Sequence, residues 1–250
     1  MKTGMTSLTL RNHTPREVVE IAAKAGLGGI EWGVSDTHII LGDFDRAREI
    51  ADVCKSENIE VFALGSYCRM ETDEDLKSAV ETADALGAPI VRIWAGTKSP
   101  NECDEEYIDL IVRNTRYMAD IAESYGICLG FEYHGGTLTQ TADDAVVLIK
   151  RIDRPNVALY WQPDYELSSE ENFESRNIVL PYCVGNMHIQ NYTPENGYGT
   201  LSEIEDTLIK YYDDIKCKDY CLMIEFVKDG LCQNLMSDAD TLKKVLQITQ

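Results

Sequence analysis

Three polar residues interrupt apolar segments in the second half of the chain: Glu132 in G-F-E-Y, His188 in N-M-H-I and Glu225 in M-I-E-F. A carboxylate buried in such a segment is strongly destabilising unless it is paired or binds a metal. Two carboxylates and an imidazole that converge on one place are best stabilised by a divalent cation. Alternatively, each glutamate forms an ion pair with an arginine, for which Arg69 and Arg92 are candidates. The spacing alone leaves both interpretations open.

The surrounding elements are expected to bring these residues together. Apolar runs and helical patterns alternate about every 30 residues, which favours a parallel sheet with crossover helices. The predicted strands cover residues 6–10, 28–32, 59–67, 89–95, 128–131, 156–162, 184–190 and 220–226. The predicted helices cover residues 14–25, 43–57, 72–86, 104–125, 141–152, 170–180, 201–214 and 237–248. Eight such units without a glycine-rich phosphate loop predict one α/β domain over residues 1–250, a (β/α)8 TIM barrel.

Polar and aromatic residues recur where these predicted strands end. Catalytic groups of a barrel come from the carboxyl ends of several strands, so these residues are candidates for a shared site. Gly135 and Gly136 follow the fifth strand and allow a sharp turn or a close approach of the backbone to a ligand. The candidate residues are Glu31, Trp32, Tyr67, Arg69, Arg92, Trp94, Glu132, His134, Gln162, His188 and Glu225.

Charge and hydropathy exclude two classes of partner. The formal net charge of −20 argues against nucleic acid, because phosphate binding needs a basic surface. No run of 18 apolar residues is present, so no membrane span is expected. The first residues lack the apolar region of a secretory signal, which makes the cytoplasm the expected location.

The order of Glu132, W-Q-P at 161–163, His188 and Glu225 resembles the xylose isomerase-like TIM barrel superfamily, and within it the sugar phosphate isomerase/epimerase family. The resemblance spans nearly the whole chain. It is fairly specific for the fold and weak for the substrate. It is carried by G-I-E-W-G (29–33), G-S-Y-C-R (65–69), V-R-I-W-A-G (91–96), F-E-Y-H-G-G-T-L-T (131–139) and Y-W-Q-P (160–163).

This resemblance implies one divalent metal ion held by Glu132, Gln162, His188 and Glu225. Mn²⁺ is the first choice, with Zn²⁺, Mg²⁺ or Co²⁺ as alternatives. Gln162 stands where the family usually has Asp. Its carbonyl oxygen can still bind a hard cation, but one negative charge is lost and binding should weaken. Asp164 is an alternative ligand.

The implied reaction is isomerisation or epimerisation of a sugar, sugar phosphate or sugar acid through a metal-stabilised enediolate. Glu132 and Glu225 would be the catalytic acid and base. The implied substrate-binding residues are Glu31, Trp32, Tyr67, Arg69, Arg92, Trp94 and His134, with Arg92 alternatively a structural arginine of the barrel. The implied partner is a small carbohydrate, and a homodimer is a possible assembly because related barrels are usually dimers.

Two other functions remain open. A dehydratase of an inosose-like or dehydroshikimate-like substrate would use the same site, with loss of water after proton removal. A non-catalytic sugar-binding barrel is the alternative of another class, and Gln162 is the residue that suggests it. A nuclease of the endonuclease IV type is disfavoured because its three-zinc cluster needs many histidines and this chain has four.

Overall fold

A computed structural model describes residues 1–247 as a closed barrel of parallel strands, each followed by a helix on the outside. The barrel strands, named in chain order, are β1 (Lys2–Thr6), β2 (Gly29–Gly33), β3 (Glu60–Gly65), β4 (Ile90–Ile93), β5 (Cys128–Phe131), β6 (Val157–Trp161), β7 (Cys183–Ile189) and β8 (Cys221–Ile224). Each strand pairs with its neighbours in sequence, and β8 pairs with β1 to close the barrel. This is the (β/α)8 TIM barrel expected from the sequence.

The α-helices cover the outside of the barrel. They are α1 (Pro15–Lys24), α2 (Phe44–Ser56), α3 (Leu76–Leu86), α4 (Glu105–Glu123), α5 (Ala142–Ile152), α6 (Ser169–Val179), α7 (Glu205–Tyr212) and α8 (Cys232–Val245). Thr14 caps the start of α1 and forms a capping box with Glu17, and Pro15 is the first residue of the helix. None of the helices in residues 1–247 has the length and apolar character needed to cross a bilayer.

Four predicted elements begin four or five residues away from their predicted starts. The first strand is Lys2–Thr6, and residues 7–10 form a 3₁₀ turn instead of the predicted strand. Helix α3 begins at Leu76 and not at 72, because Asp75 adopts a left-handed conformation (φ 63°) that a continuous helix cannot contain. Helix α7 begins at Glu205 and not at 201, because residues 201–204 form a 3₁₀ turn. Helix α8 begins at Cys232 and not at 237, and the predicted end at 248 lies outside the described residues.

Aromatic side chains fill the inside of the barrel, and glycines on neighbouring strands leave room for them. Phe62, Tyr160 and Met223 belong to a small buried cluster separate from the larger core between strands and helices. A Cβ at Gly29 would lie 2.4 Å from the Phe62 ring, so the absence of a side chain there makes room for the aromatic ring. Asn186 donates a hydrogen bond of 3.0 Å to the Tyr160 hydroxyl. The packed interior supports the residues at the carboxyl ends of the strands.

Candidate metal centre and active site

Five ionisable side chains meet inside the barrel near the carboxyl ends of the strands. Glu31 lies in β2, Arg92 in β4 and His188 in β7, while Glu132 and Glu225 directly follow β5 and β8. All are buried except Glu225, whose side chain is 12% exposed. Such a concentration of charge in the interior requires close pairing or a bound ion.

Arg92 pairs with two of the glutamates. Its Nε lies 2.7 Å from Glu31 Oε1, and its Nη1 contacts Glu132 Oε2. The alternative prediction of an ion pair with Arg92 therefore applies to Glu132, on one of its two carboxylate oxygens. A Cβ at Gly65 would lie 2.8 Å from Arg92 Nη2, so only glycine leaves the guanidinium its full space.

These pairs determine the charge states of the buried groups. Burial raises the pKa of Glu31, but the charges of Arg92 and His188 outweigh it and lower the pKa to about 2. For Arg92, burial lowers the pKa, and the neighbouring Glu31 and Glu225 raise it above its usual value. Glu31 and Arg92 are therefore both charged at neutral pH.

His188 lies between Glu31 on one side and Glu132 and Glu225 on the other. Its Nε2 is 3.3 Å from Glu31 Oε1. Its Nδ1 is 3.5 Å from Glu225 Oε2 and 3.7 Å from Glu132 Oε1. The ring is fully buried, with its edge against Tyr160 at 5.5 Å between ring centroids. Burial lowers the pKa of His188, but Glu225 and Glu31 raise it above its ordinary value.

The potential ligand atoms of Glu132, His188 and Glu225 lie close enough together to hold a metal ion. One ligand atom from each residue lies within 4.8 Å of the others. Atoms that share a cation at about 2.2 Å are themselves about 3–3.6 Å apart, close to the separations around Nδ1. Among the described residues, neither nitrogen of His188 has a hydrogen-bond partner. An orphaned buried imidazole nitrogen facing two carboxylates fits a divalent cation.

Gln162, predicted as a fourth ligand, lies beside this cluster. Its Nε2 donates to the Tyr133 carbonyl at 2.9 Å and lies 3.5 Å from Glu132 Oε1. Two acceptors thus hold the amide nitrogen on the side of Glu132, and the amide oxygen has no partner within residues 1–247. Ligation by Gln162 stays a prediction. Asp164, the alternative ligand, accepts a hydrogen bond from the backbone N–H of Glu166.

Four of the predicted substrate-binding residues form a wall at the mouth of the barrel. The rings of Trp94 and His134 lie 4.4 Å apart, and Tyr67 lies 6.3 Å from Trp94. The Arg69 guanidinium lies 4.4 Å from the Trp94 ring centroid, a cation–π contact. Tyr67 is 37% exposed and has a φ of +57°, which is rare for an aromatic residue. These residues, together called the aromatic wall, border the opening above the buried charges.

Trp32 does not belong to this wall. It is fully buried, contacts the His38 ring edge-to-face at 5.7 Å and lies beside the Cys54 thiol of α2. Successive strand residues point to opposite faces, so Trp32 points away from the barrel interior that Glu31 occupies. Its expected role in substrate binding does not suit this position between the barrel and its helices. Glu31 itself is buried beneath the opening and contacts Arg92 and His188.

Sequence reasoning missed a row of aromatic residues on the other side of the opening. Tyr192 and Tyr198 lie on a short antiparallel hairpin after β7. Neighbouring rings in the row Tyr165, Tyr192, Tyr198 and Phe226 have centroids 5.0–5.3 Å apart. Phe226 directly follows Glu225 and has a φ of +59°. The position of Phe226 next to a predicted ligand was the one signal in the sequence that could have indicated this row.

Comparison with known proteins identifies the family. Residues 19–215 match the family described as xylose isomerase-like TIM barrel. The 3-dehydroshikimate dehydratase of Bacillus anthracis is 20% identical over 169 residues, 64% of this chain and 60% of that protein. The 2-oxo-tetronate isomerase of Haemophilus influenzae is 31% identical over 100 residues, 38% of each chain. The matches thus span less than two thirds of the length of both curated relatives.

Solved structures show the same fold at low sequence identity. A probable 3-DHS dehydratase from Bacillus anthracis has a TM-score of 0.81 at 17% identity, over 97% of this chain and 99% of that one. A D-allulose 3-epimerase from Methylomonas sp. has a TM-score of 0.72 at 18% identity, over 99% of this chain and 97% of that one. A xylose isomerase-like TIM barrel protein from Mycobacterium smegmatis in complex with magnesium has a TM-score of 0.69 at 17% identity, over 98% of this chain and 96% of that one. The barrel, its strand order and the match over most of the chain agree: this chain belongs to the xylose isomerase-like TIM barrel family.

Proposed function

We propose that this protein is a metal-dependent sugar isomerase or epimerase that works by proton abstraction α to a carbonyl. The observation that carries the proposal is the convergence of Glu132 Oε1, His188 Nδ1 and Glu225 Oε2 at the barrel opening. Within residues 1–247 the imidazole nitrogen has no hydrogen-bond partner. Three charged or basic donors converging on one point of an otherwise packed interior fit a cation. The family membership supports an enzyme, because its relatives include isomerases and epimerases.

In this proposal Glu132, His188 and Glu225 hold one divalent cation. Mn²⁺ remains the predicted ion, with Zn²⁺, Mg²⁺ and Co²⁺ as alternatives; the relative bound to magnesium supports a hard divalent cation. When bound, the cation would stabilise the negative charge that develops on the oxygens of an enediolate. Gln162 contributes by donating to Glu132 through its amide nitrogen.

The two carboxylates serve as acid and base on opposite sides of the substrate. Arg92 holds Glu132 through Oε2, which leaves Oε1 directed towards His188 and the opening. Glu225 is the more accessible of the two, at 12% side-chain exposure. Glu31 positions His188 from below. A carboxylate near Nε2 favours a proton on that nitrogen, which leaves Nδ1 unprotonated and able to bind a metal ion.

The aromatic wall provides the substrate-binding surface. Trp94 and Tyr67 offer apolar faces to the carbon skeleton, and His134 can hydrogen-bond a hydroxyl. Arg69 lies exposed beside Trp94, where it can contact a polar group of the substrate. Arg92 is already shared by two carboxylates, so we assign it to positioning Glu132 and not to substrate. A small carbohydrate in the cytoplasm, and a homodimer, remain the proposed substrate class, location and assembly.

A dehydratase is the second candidate. It is favoured by the similarity to the dehydratase relative and by the TM-score of 0.81 with a probable 3-DHS dehydratase. The same carboxylates would remove the α-proton, and water would then be lost. A carboxylated substrate such as a dehydroshikimate needs a cation; Arg92 is shared by Glu31 and Glu132, which leaves Arg69 beside Trp94 for that role. Absorbance of an enone or aromatic product distinguishes this reaction from one whose product is an isomer.

Turnover by matched variants tests the proposal. A panel of ketoses, aldoses and dehydroshikimate with Mn²⁺ is first used to find a substrate of the wild type. Glu132→Gln and Glu225→Gln should then lower kcat at least a hundredfold, because each removes a proton-transfer group. Glu60→Gln changes a carboxylate whose side chain is 57% exposed and should keep full activity. Full activity of both site variants would rule out the paired-carboxylate mechanism.

A further inference from the structure

A cavity of about 690 Å³ opens beside the group formed by Glu132, His188 and Glu225. It is lined by the segments that follow β5 and β6 and by residues of α6. Its lining includes Tyr133, His134, Gln162 and Gln190. It therefore adjoins the aromatic wall through His134, and Glu132 through Gln162. Its remaining lining includes the carboxylates Asp143, Asp164, Glu166, Glu171 and Glu174, and it contains no lysine or arginine.

Gln162 is the feature of this cavity that indicates a ligand. The side chain is 93% buried (7% exposed), and its amide nitrogen is held by the Tyr133 carbonyl and Glu132. Its Oε1 has no hydrogen-bond partner in residues 1–247. A buried acceptor without a partner destabilises the folded protein, so a ligand that donates to it is favoured. A hydroxyl or an ammonium group can donate, whereas an ionised phosphate or carboxylate oxygen can only accept.

The charges around the cavity also disfavour an anionic ligand. Glu171 is engaged in the capping box with Ser168, and Asp164 accepts from a backbone N–H, but neither contact neutralises the carboxylate. An anionic group in the cavity would therefore meet several like charges without a compensating cation in the lining. Like charges repel each other several times more strongly near a protein surface than in bulk water.

We propose that this cavity binds the end of the substrate remote from the reacting carbon, and that this end is hydroxylated and carries no negative charge. The inference deepens the proposed function and rests on it for the identity of the reacting end. The cavity would favour neutral sugars or amino sugars over sugar phosphates and sugar acids. Gln162 Oε1 accepts a hydrogen bond from a hydroxyl or amine of that end.

Three acyclic ligands test the proposal: sorbitol, glucamine and sorbitol 6-phosphate, of which the last two each differ from sorbitol in one terminal group. Each is titrated into the ¹⁵N-labelled protein with Mg²⁺, and the side-chain amide signals of Gln162 report occupancy of the cavity. Sorbitol and glucamine should shift these signals, and sorbitol 6-phosphate should bind at least tenfold more weakly at low ionic strength. Equal or tighter binding of the phosphate would overturn the proposal, as would the absence of a shift with all three ligands.

A charge-matched pair of variants assigns the selectivity to the cavity. The double variant D143N/E174Q removes two lining carboxylates. It should lower the ratio of the Kd for sorbitol 6-phosphate to the Kd for sorbitol at least threefold. The control E57Q/E123Q removes two exposed carboxylates outside the lining and changes the net charge equally. An equal effect in the control would attribute the selectivity to net charge and overturn the proposal.

The same titrations in EDTA separate this inference from the proposed function. The cavity lining includes none of Glu132, His188 and Glu225, so selectivity against phosphate should persist without metal. A protein that binds no metal and still shows the selectivity would refute the metal-dependent function alone. A protein that binds metal and prefers the phosphate would refute this inference alone.

Discussion

Replacement of Glu31 by Gln tests the electrostatic arrangement beneath Glu132, His188 and Glu225. Glu31 is 1% exposed, and its Oε1 contacts both Arg92 at 2.7 Å and His188 at 3.3 Å. Glutamine has nearly the shape of protonated glutamate, so Glu31→Gln approximates the low-pH form of the site. We expect the variant to fold with less stability and a changed dependence on pH.

The magnitude follows from the pKa of Glu31. Its pKa is lowered from 4.5 to about 2 in the folded protein, since Arg92 and His188 outweigh the effect of burial. At about 1.4 kcal/mol per pKa unit, the ionised carboxylate stabilises the folded state by about 3 kcal/mol at pH 7. Because the folded pKa is the lower one, this contribution is complete above about pH 5. It is lost as the pH falls towards 2, with roughly 1 kcal/mol left at pH 3.

Urea unfolding of the metal-free protein measures this contribution. Glu31→Gln should lose about 3 kcal/mol in the free energy of unfolding at pH 7, or ~6–12 °C in Tm, and the difference from wild type should shrink as the pH falls to 3. Glu60→Gln, which removes the partner of Lys2 at the surface, should lose about 1 kcal/mol or less. A loss in Glu31→Gln that is equal at pH 7 and pH 3, or no loss at all, would refute the assignment.

Two further predictions concern single positions elsewhere in the barrel. Gly65→Ala should lower the free energy of unfolding by about 1–3 kcal/mol, because the added Cβ would lie 2.8 Å from Arg92 Nη2. Gly135→Ala is the control, since its Cβ would meet no atom within 4 Å, and equal urea midpoints of the two variants would contradict the prediction. Burial raises the pKa of Asp238 to about 6, so its ionisation destabilises the folded state as the pH rises from 4 to 6. Asp238→Asn should therefore unfold at a higher temperature than wild type at pH 7 but not at pH 4, and a lower Tm at pH 7 would contradict this.

The strand and helix pattern was predictable because each element carries a local signal. The cap residues Thr14 and Thr141 appear in the sequence as a helix start, and each accepts a hydrogen bond from the third residue of its helix. The first strand was placed too late because its apolar run, residues 6–10, continues as a buried 3₁₀ turn. Periodicity cannot distinguish such a turn from a short buried strand.

The site was predictable in part for the same reason. Glu132, His188 and Glu225 were singled out because each is a polar residue in an apolar segment of the sequence, which is a local property, and their side chains do lie close together. The contact between Glu31 and Arg92 joins residues 61 positions apart and depends on barrel closure, so no local pattern encodes it. Trp32 was misplaced although alternation along β2 allows only one of Glu31 and Trp32 to face the interior.

Metal binding tests the central claim most directly. Isothermal titration of the metal-free protein with Mn²⁺ should give one site per chain for the wild type. His188→Ala should weaken the affinity at least a hundredfold, because it removes the nitrogen that faces Glu132 and Glu225. His13→Ala, a histidine outside the cluster, should bind as the wild type does. No binding to the wild type at millimolar Mn²⁺, or undiminished binding to His188→Ala, would contradict a metal centre at the barrel opening.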